Sequence, residues 1–169
     1  MEAFPDRLDV TDRPGVALRI LQPDDWRLEF ELGRVEDVPP WTMYPADIDE
    51  TVARLRARRN VESASAGRGV RYVVEEDGVP LGTAGFGRSD AGFEIFYAMK
   101  PEGRGRGLMT DAVRTLAAWL TGQGERVVWL STLNGNAPSE GVARRCGFVP
   151  FREGTHVDGR RVTVWRMTA

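Results

Sequence analysis

The sequence predicts a mixed α/β domain whose sheet is mostly antiparallel, with one parallel pair of strands in the middle. Three observations carry this expectation. Asp77-Gly78 stands between two strand-like runs, Val70–Glu75 and Val79–Arg88, and that dipeptide is a strong signal for a two-residue hairpin. A strand-like run at 92–99, an amphipathic helix from Leu108 and a β-branched run at 126–133 follow in that order. Strand, helix, strand implies a right-handed crossover between parallel neighbours. Finally, no repeat and no linker interrupts the 169 residues, so the chain reads as one domain, 1–169, of a size that buries a substantial core.

Taken in order, residues 1–14 are polar and hold Pro5 and Pro14, which reads as a loose N-terminal arm. Val16–Leu21 alternates well enough for a first strand. Pro23-Asp24-Asp25 starts a short helix reaching about Leu32, with acids where the helix dipole favours them. Val35–Pro45 combines Pro39, Pro40 and Pro45 with Trp41, Met43 and Tyr44. The prolines forbid regular structure and the rings avoid water, so a loop folded over a pocket and a packed connector both fit. Asp47 or Asp49 caps a second helix over about Ile48–Val61, its Arg54, Arg56, Arg58 and Arg59 mostly facing solvent. Glu62–Gly69 reads as a mobile loop. Three antiparallel strands follow, turning at Asp77-Gly78 and Ser89-Asp90. The helix from Leu108 repeats apolar residues at Val113, Leu116, Ala117 and Leu120 and stops at Gly122 and Gly124. After the strand at 126–133, Asn136 caps a last helix ending at Gly147, and 148–151 pairs with 161–166 across a turn near Asp158-Gly159.

Composition narrows the function classes. The apolar fraction is 41% and the charged fraction 28%, which excludes a disordered chain. Net charge is −2, with 23 basic and 25 acidic residues, and gives no basic footprint for nucleic acid. Cys146 is the only cysteine and His156 the only histidine, so an internal disulfide is excluded and no metal-ligand set stands out. An acidic N-terminal region without a signal-peptide core, and no run of the ~20 apolar residues needed to cross a bilayer, give a cytoplasmic expectation with no membrane partner.

The chemistry concentrates in Gly103-Arg104-Gly105-Arg106-Gly107, at the junction of a strand and a helix. Glycine lets backbone N–H groups approach a ligand, and a helix start offers unpaired N–H groups with partial positive charge. Together they form a cradle for a phosphate or pyrophosphate.

The order of elements and two motifs resemble the GNAT superfamily of acyl-CoA N-acyltransferases, and within it the branch of ribosomal-protein N-terminal acetyltransferases. The phosphate loop, Arg/Gln-x-x-Gly-x-Gly/Ala in the family, is matched by Arg104-Gly105-Arg106-Gly107-Leu108-Met109. The second motif, Asn-x-x-Ser before a helix ending in Gly-Phe, is matched by Asn136-Ala137-Pro138-Ser139 and Gly147-Phe148. The likeness runs from about Val16 to the C-terminus and is most specific over 92–151. Met109 departs from it, standing where the family has Gly or Ala; its side chain crowds the pyrophosphate unless it turns into the core.

The resemblance implies a sheet of about six to seven strands with the central parallel pair splayed apart, flanked by about four helices. It implies acetyl-CoA as co-substrate, with the pyrophosphate on the N–H groups of Arg104, Gly105, Arg106, Gly107, Leu108, Met109 and Thr110, and the arginine side chains adding charge-assisted contacts. The pantetheine arm pairs with main chain at Ala98 and Met99, Asn136 holds its amides or caps the helix, and a backbone N–H at the same place polarises the thioester. Glu94 takes the proton of the attacking amine, with Glu29, Glu31 and Asp37 as reserves. Ser139 assists the leaving thiolate. Trp41 and Tyr44, together with Phe86 and His156, are candidates to border the acceptor. Cys146 reads as core, with no histidine near it in sequence to activate it.

The expected reaction is transfer of an acetyl group to a primary amine, on a small molecule or a peptide, by direct attack in a ternary complex, in a family where homodimers are common. A catalytically silent acyl-CoA-binding domain and an enzyme using a longer donor such as succinyl-CoA are the rivals. A nucleic-acid module ranks behind them, because one Gly-Arg tract in an acidic chain supplies no basic face.

Overall fold

The structure is a computed structural model that describes residues 4–89 and 91–169; Asp90, in the turn expected at Ser89-Asp90, and residues 1–3 of the expected arm lie outside them. Eight strands form one sheet: β1 (Arg7–Asp9), β2 (Val16–Ile20), β3 (Gly69–Glu76), β4 (Val79–Ser89), β5 (Gly92–Met99), β6 (Val127–Leu133), β7 (Val149–Thr155) and β8 (Arg161–Thr168). Their spatial order is β1-β2-β3-β4-β5-β6-β8-β7, and every pairing is antiparallel except β5 with β6. The helices are α1 (Trp26–Arg34), α2 (Glu50–Ser65), α3 (Leu108–Gly122) and α4 (Ala137–Arg145).

The helices cover both faces. On β3, Val70, Tyr72 and Val74 turn to the core under α3, while Val73 packs with α1 and α2. On β5, Phe93 and Ile95 join the α3 core and Ala98 the α1–α2 core. This is the two-residue period of a strand buried on both faces. Asp49 caps α2 by accepting from Val52 N–H at 2.7 Å, and Asn136 caps α4 by accepting from Ser139 N–H at 3.2 Å.

Three expectations need correction. Residues 7–9 of the expected loose arm form β1, Arg7 donating to Glu75 at 2.7 Å and Phe4 packing edge-on to Phe86 at 5.5 Å. This is the eighth strand, one more than the upper expectation. Glu62–Ser65 of the expected mobile loop is the last turn of α2, where Ser65 Oγ donates to Val61 C=O at 3.0 Å. The first helix begins at Trp26, because Pro23–Asp25 forms a separate 3-10 turn whose Asp25 carboxylate accepts from Gln22 N–H at 2.7 Å.

The site is positioned by the one parallel pairing. It holds only for Phe93↔Val128, Glu94↔Trp129 and Ile95↔Leu130; beyond these β5 and β6 diverge. Lys100 N–H bonds Leu81 C=O, so by strand alternation the main-chain groups of Ala98 face β4. Those of Tyr97 and Met99 face the gap.

Candidate active site

Two cavities share the gap between β5 and β6. The first, about 620 Å³, is bounded by the loop before α3, the start of α3 and α4. Gly105 and Gly107 hold φ of +75° and +79°, a left-handed conformation that side-chain-bearing residues resist. The first bond of α3 runs from Asp111 N–H to Gly107 C=O, which leaves the N–H groups of Leu108, Met109 and Thr110 without helical acceptors beside the cavity. Met109 borders the cavity, yet it is only 8% exposed and packs with the α3 core.

The two loop arginines part company. Arg104 borders this cavity but holds Asp37 with two bonds of 2.7 and 2.9 Å and donates to Met99 C=O at 3.1 and 2.9 Å. The guanidinium keeps the Asp37 carboxyl below the usual carboxylate range. Arg106 turns away, pairing with Glu76 at 2.5 Å, and is not among the residues bordering the cavity. Arg145 of α4 stands there instead, its Nε donating to Thr110 Oγ1 at 3.3 Å. Sequence reading missed Arg145; its place two residues before Gly147-Phe148 in the second motif was the available signal.

The second cavity, about 470 Å³, opens on the α2 side of the sheet. Glu94 and Phe96 line it from β5, Tyr44 and Arg56 from the α1–α2 side, and His156 from the β7–β8 turn. Tyr97, Asn136, Ser139, Trp41 and Thr42 border both cavities. At this junction the Tyr97 hydroxyl lies 2.6 Å from Ser139 Oγ. Burial pushes the Tyr97 phenol up to about 12, the bond to Ser139 opposing it. Tyr97 was not anticipated as a site residue, because its partner is 42 positions away in the chain.

The remaining candidates scatter. Trp41 is 41% exposed, with its ring edge near Gly135. Tyr44 is buried, its hydroxyl donating to Glu29 Oε1 at 3.0 Å; burial, then the Glu29 charge, pushes it up to about 12. Phe86 lies in the α3 core, stacked on Trp119, and does not border the second cavity. His156 Nδ1 is 2.9 Å from Asp158 Oδ1. Of the reserve acids, Glu29 is fully buried, Glu31 pairs with Lys100 and Asp37 with Arg104. Arg56, expected to face solvent, instead donates to Glu29 Oε2 at 3.0 Å. Cys146 Sγ contacts Thr110 C=O at 3.3 Å, and burial pushes its thiol up to about 11. Among the described residues no group of His, Cys, Asp and Glu could hold a metal ion, and no helix is long and apolar enough to cross a membrane.

Residues 16–149 match the family described as the acetyltransferase (GNAT) domain. The chain belongs to the GNAT acetyltransferase family. No curated protein matches its sequence. The GNAT fold is shared with the microcin C7 self-immunity acetyltransferase MccE, solved with acetyl-CoA and AMP, at a TM-score of 0.85 and 14% identity over 99% of this chain and 98% of that one. RimL, a ribosomal L7/L12 α-N-protein acetyltransferase solved with coenzyme A, gives a TM-score of 0.85 at 16% identity, covering 96% and 97%. Mycobacterium smegmatis RimJ, solved with CoA-disulfide, gives 0.83 at 22% identity, covering 99% and 89%.

Proposed function

We propose that the protein transfers the acetyl group of acetyl-CoA to a primary amine by direct attack within a ternary complex. The observation that carries this reading is the meeting of two cavities at Tyr97, Asn136 and Ser139, with a glycine-arginine cradle on one side and a carboxylate, Glu94, on the other. In this reading the N–H groups of the loop and the first turn of α3 take the pyrophosphate, and Arg104 and Arg145 flank it. The Tyr97 and Met99 main chain faces the pantetheine arm. Met99 C=O is already engaged by Arg104, so its N–H remains to polarise the thioester.

Glu94 accepts the amine proton, directly or through a water, because only a neutral amine carries the attacking lone pair. Ser139 and Tyr97 form one hydroxyl pair that donates to the departing thiolate; with its phenol at about 12, Tyr97 keeps its proton across the physiological range. RimL, described as an acetyltransferase of a ribosomal protein α-amino group, supports an amine acceptor by family likeness. A cytoplasmic setting and a homodimer belong to the same proposal.

Glu94→Gln tests it. Turnover should fall by roughly 10²- to 10⁴-fold while acetyl-CoA affinity, measured by calorimetry, stays unchanged. Unaltered turnover would remove Glu94 from the mechanism. Binding of acetyl-CoA with no thiol release across a broad amine panel would favour the silent binding domain.

A further inference from the structure

The acceptor-side cavity has a polarity of its own. Arg56 and Arg71 line it, and both lean on one carboxylate behind the wall, Glu29, which is fully buried. Arg56 Nε is 3.0 Å from Glu29 Oε2, and Arg71 Nε is 3.7 Å from Oε1. Arg71 Nη1 donates to Thr83 Oγ1 at 2.9 Å and reaches the Tyr44 hydroxyl at 3.5 Å, and the guanidinium lies 4.6 Å from the Phe96 ring centre. Arg56 Nη1 donates to Met43 C=O at 3.3 Å. Among the described residues, Nη2 of each guanidinium makes no hydrogen bond. Two cations thus share one buried anion, and one positive charge at the cavity wall is left without a counter-charge.

A negative group stands at the other end. Glu94 lines the same cavity from β5 and lies on the same face of the sheet as Phe96, while Arg71 is in register with Phe96 through Gly85 of β4. The strand between Arg71 and Glu94 is bare on this face. Gly85 and Gly87 carry no side chain, and a Cβ on Gly87 would meet nothing nearer than the Phe96 ring at 3.8 Å. A ligand lying across Gly87 therefore has a cation at one end and a carboxylate at the other.

Resting on the acetyltransfer reading, we propose that the acceptor is a zwitterion: a primary amine held at Glu94 and a carboxylate held by Arg71 and Arg56. The guanidinium fork suits a planar carboxylate. The carboxylate can belong to a free amino acid or to the acidic first residue of a peptide, and matched amides separate the two sources.

The probes are β-alanine and γ-aminobutyrate, each against its neutral amide, and a peptide amide beginning with aspartate against one beginning with asparagine. Acetylation kinetics and calorimetric binding to the CoA-loaded protein are measured for each pair. At least one acid should exceed its amide in kcat/KM, and Arg71→Met should cut that acid-over-amide ratio by roughly 10- to 100-fold, the range of a charged hydrogen bond. Arg71→Lys should restore part of it. Removing Arg71 leaves Glu29 with one cation fewer, so the double variant Glu29→Gln/Arg71→Met repeats the measurement with the buried charge balanced, and folding is checked by circular dichroism. Equal use of acid and amide, a preference that survives in both Arg71→Met and Glu29→Gln/Arg71→Met, or no binding of any acid would overturn the proposal. Arg71-dependent binding of an acid without acetylation would keep the anion site and sink the acetyltransfer reading instead.

Discussion

Three ionisable groups at the residue scale are held neutral by burial: Cys146 rises from 9.0 to about 11, and Tyr44 and Tyr97 from 10.0 to about 12. Tyr72, whose buried hydroxyl has no hydrogen-bond partner among the described residues, moves the same way. The unfolded chain loses these protons first, so above about pH 9 it binds fewer protons than the folded chain. The stability they contribute is complete below that pH and drains away as pH rises towards about 12. Urea unfolding at a series of alkaline pH values should show a steady fall in midpoint through this window, and Cys146→Ala should remove its onset near the thiol range. A flat midpoint would contradict the burial argument. These groups also mark what the sequence could not disclose. Glu94, Ser139 and Asn136, which line the second cavity, were legible as candidates because each sits in a motif or beside one. Tyr97, Arg71 and Arg145 were not, since each acquires its role from a partner on another element: Tyr97 from Ser139, Arg71 from Glu29, Arg145 from Thr110.

At the scale of elements, legibility follows how local the cause is. Asp49 and Asn136 announced their helices because a cap acts within three residues. Asp49→Ala should therefore cost about 1 kcal/mol of stability, by the usual worth of such a cap, with little change in acetyl-CoA affinity because α2 does not border the donor-side cavity. Chemical denaturation and calorimetry check the two halves of that statement. The hairpin at Asp77-Gly78 was legible for the same reason: Asp77 and Gly78 both adopt positive φ, 50° and 78°. β1 was not, because a three-residue strand carries a single apolar side chain, Leu8, and forms only through its partners. Arg7 reaches Glu75 on β3, a strand far away in sequence, and Val10 just beyond enters the core. The end of α2 was misread for a related cause. Glu62-Ser63-Ala64-Ser65 is small and polar with no apolar period of its own, but Ala64 packs against the core and Ser65 bonds back into the helix.

On the scale of the whole molecule, the sheet order places β5 and β6, the only parallel pair among the described residues, between two antiparallel blocks, and the short pairing between them leaves the gap in which both cavities meet. The 35–45 loop joins the two sides. Trp41 and Thr42 border both cavities, Arg160 from the β7–β8 turn donates to Pro40 C=O, and Asp37 grips Arg104 of the anion cradle. On the proposed function, Asp37 competes for a cation that the donor would use and, by the same bond, anchors the loop that would wall the acceptor. Asp37→Asn should have opposite effects on the two substrates. Freed from its carboxylate, Arg104 should raise acetyl-CoA affinity, by no more than about fivefold because an exposed ion pair is worth at most about 1 kcal/mol. The loosened loop should raise the acceptor KM without lowering kcat, since neither Glu94 nor the Tyr97–Ser139 hydroxyl pair changes. Calorimetry with acetyl-CoA and steady-state kinetics at saturating donor separate these effects. Weaker donor binding would mean that Asp37 orients Arg104 towards the cradle, and an unchanged acceptor KM would mean that the loop holds its place without the Asp37–Arg104 bond, through contacts such as Arg56 to Met43 C=O and Arg160 to Pro40 C=O.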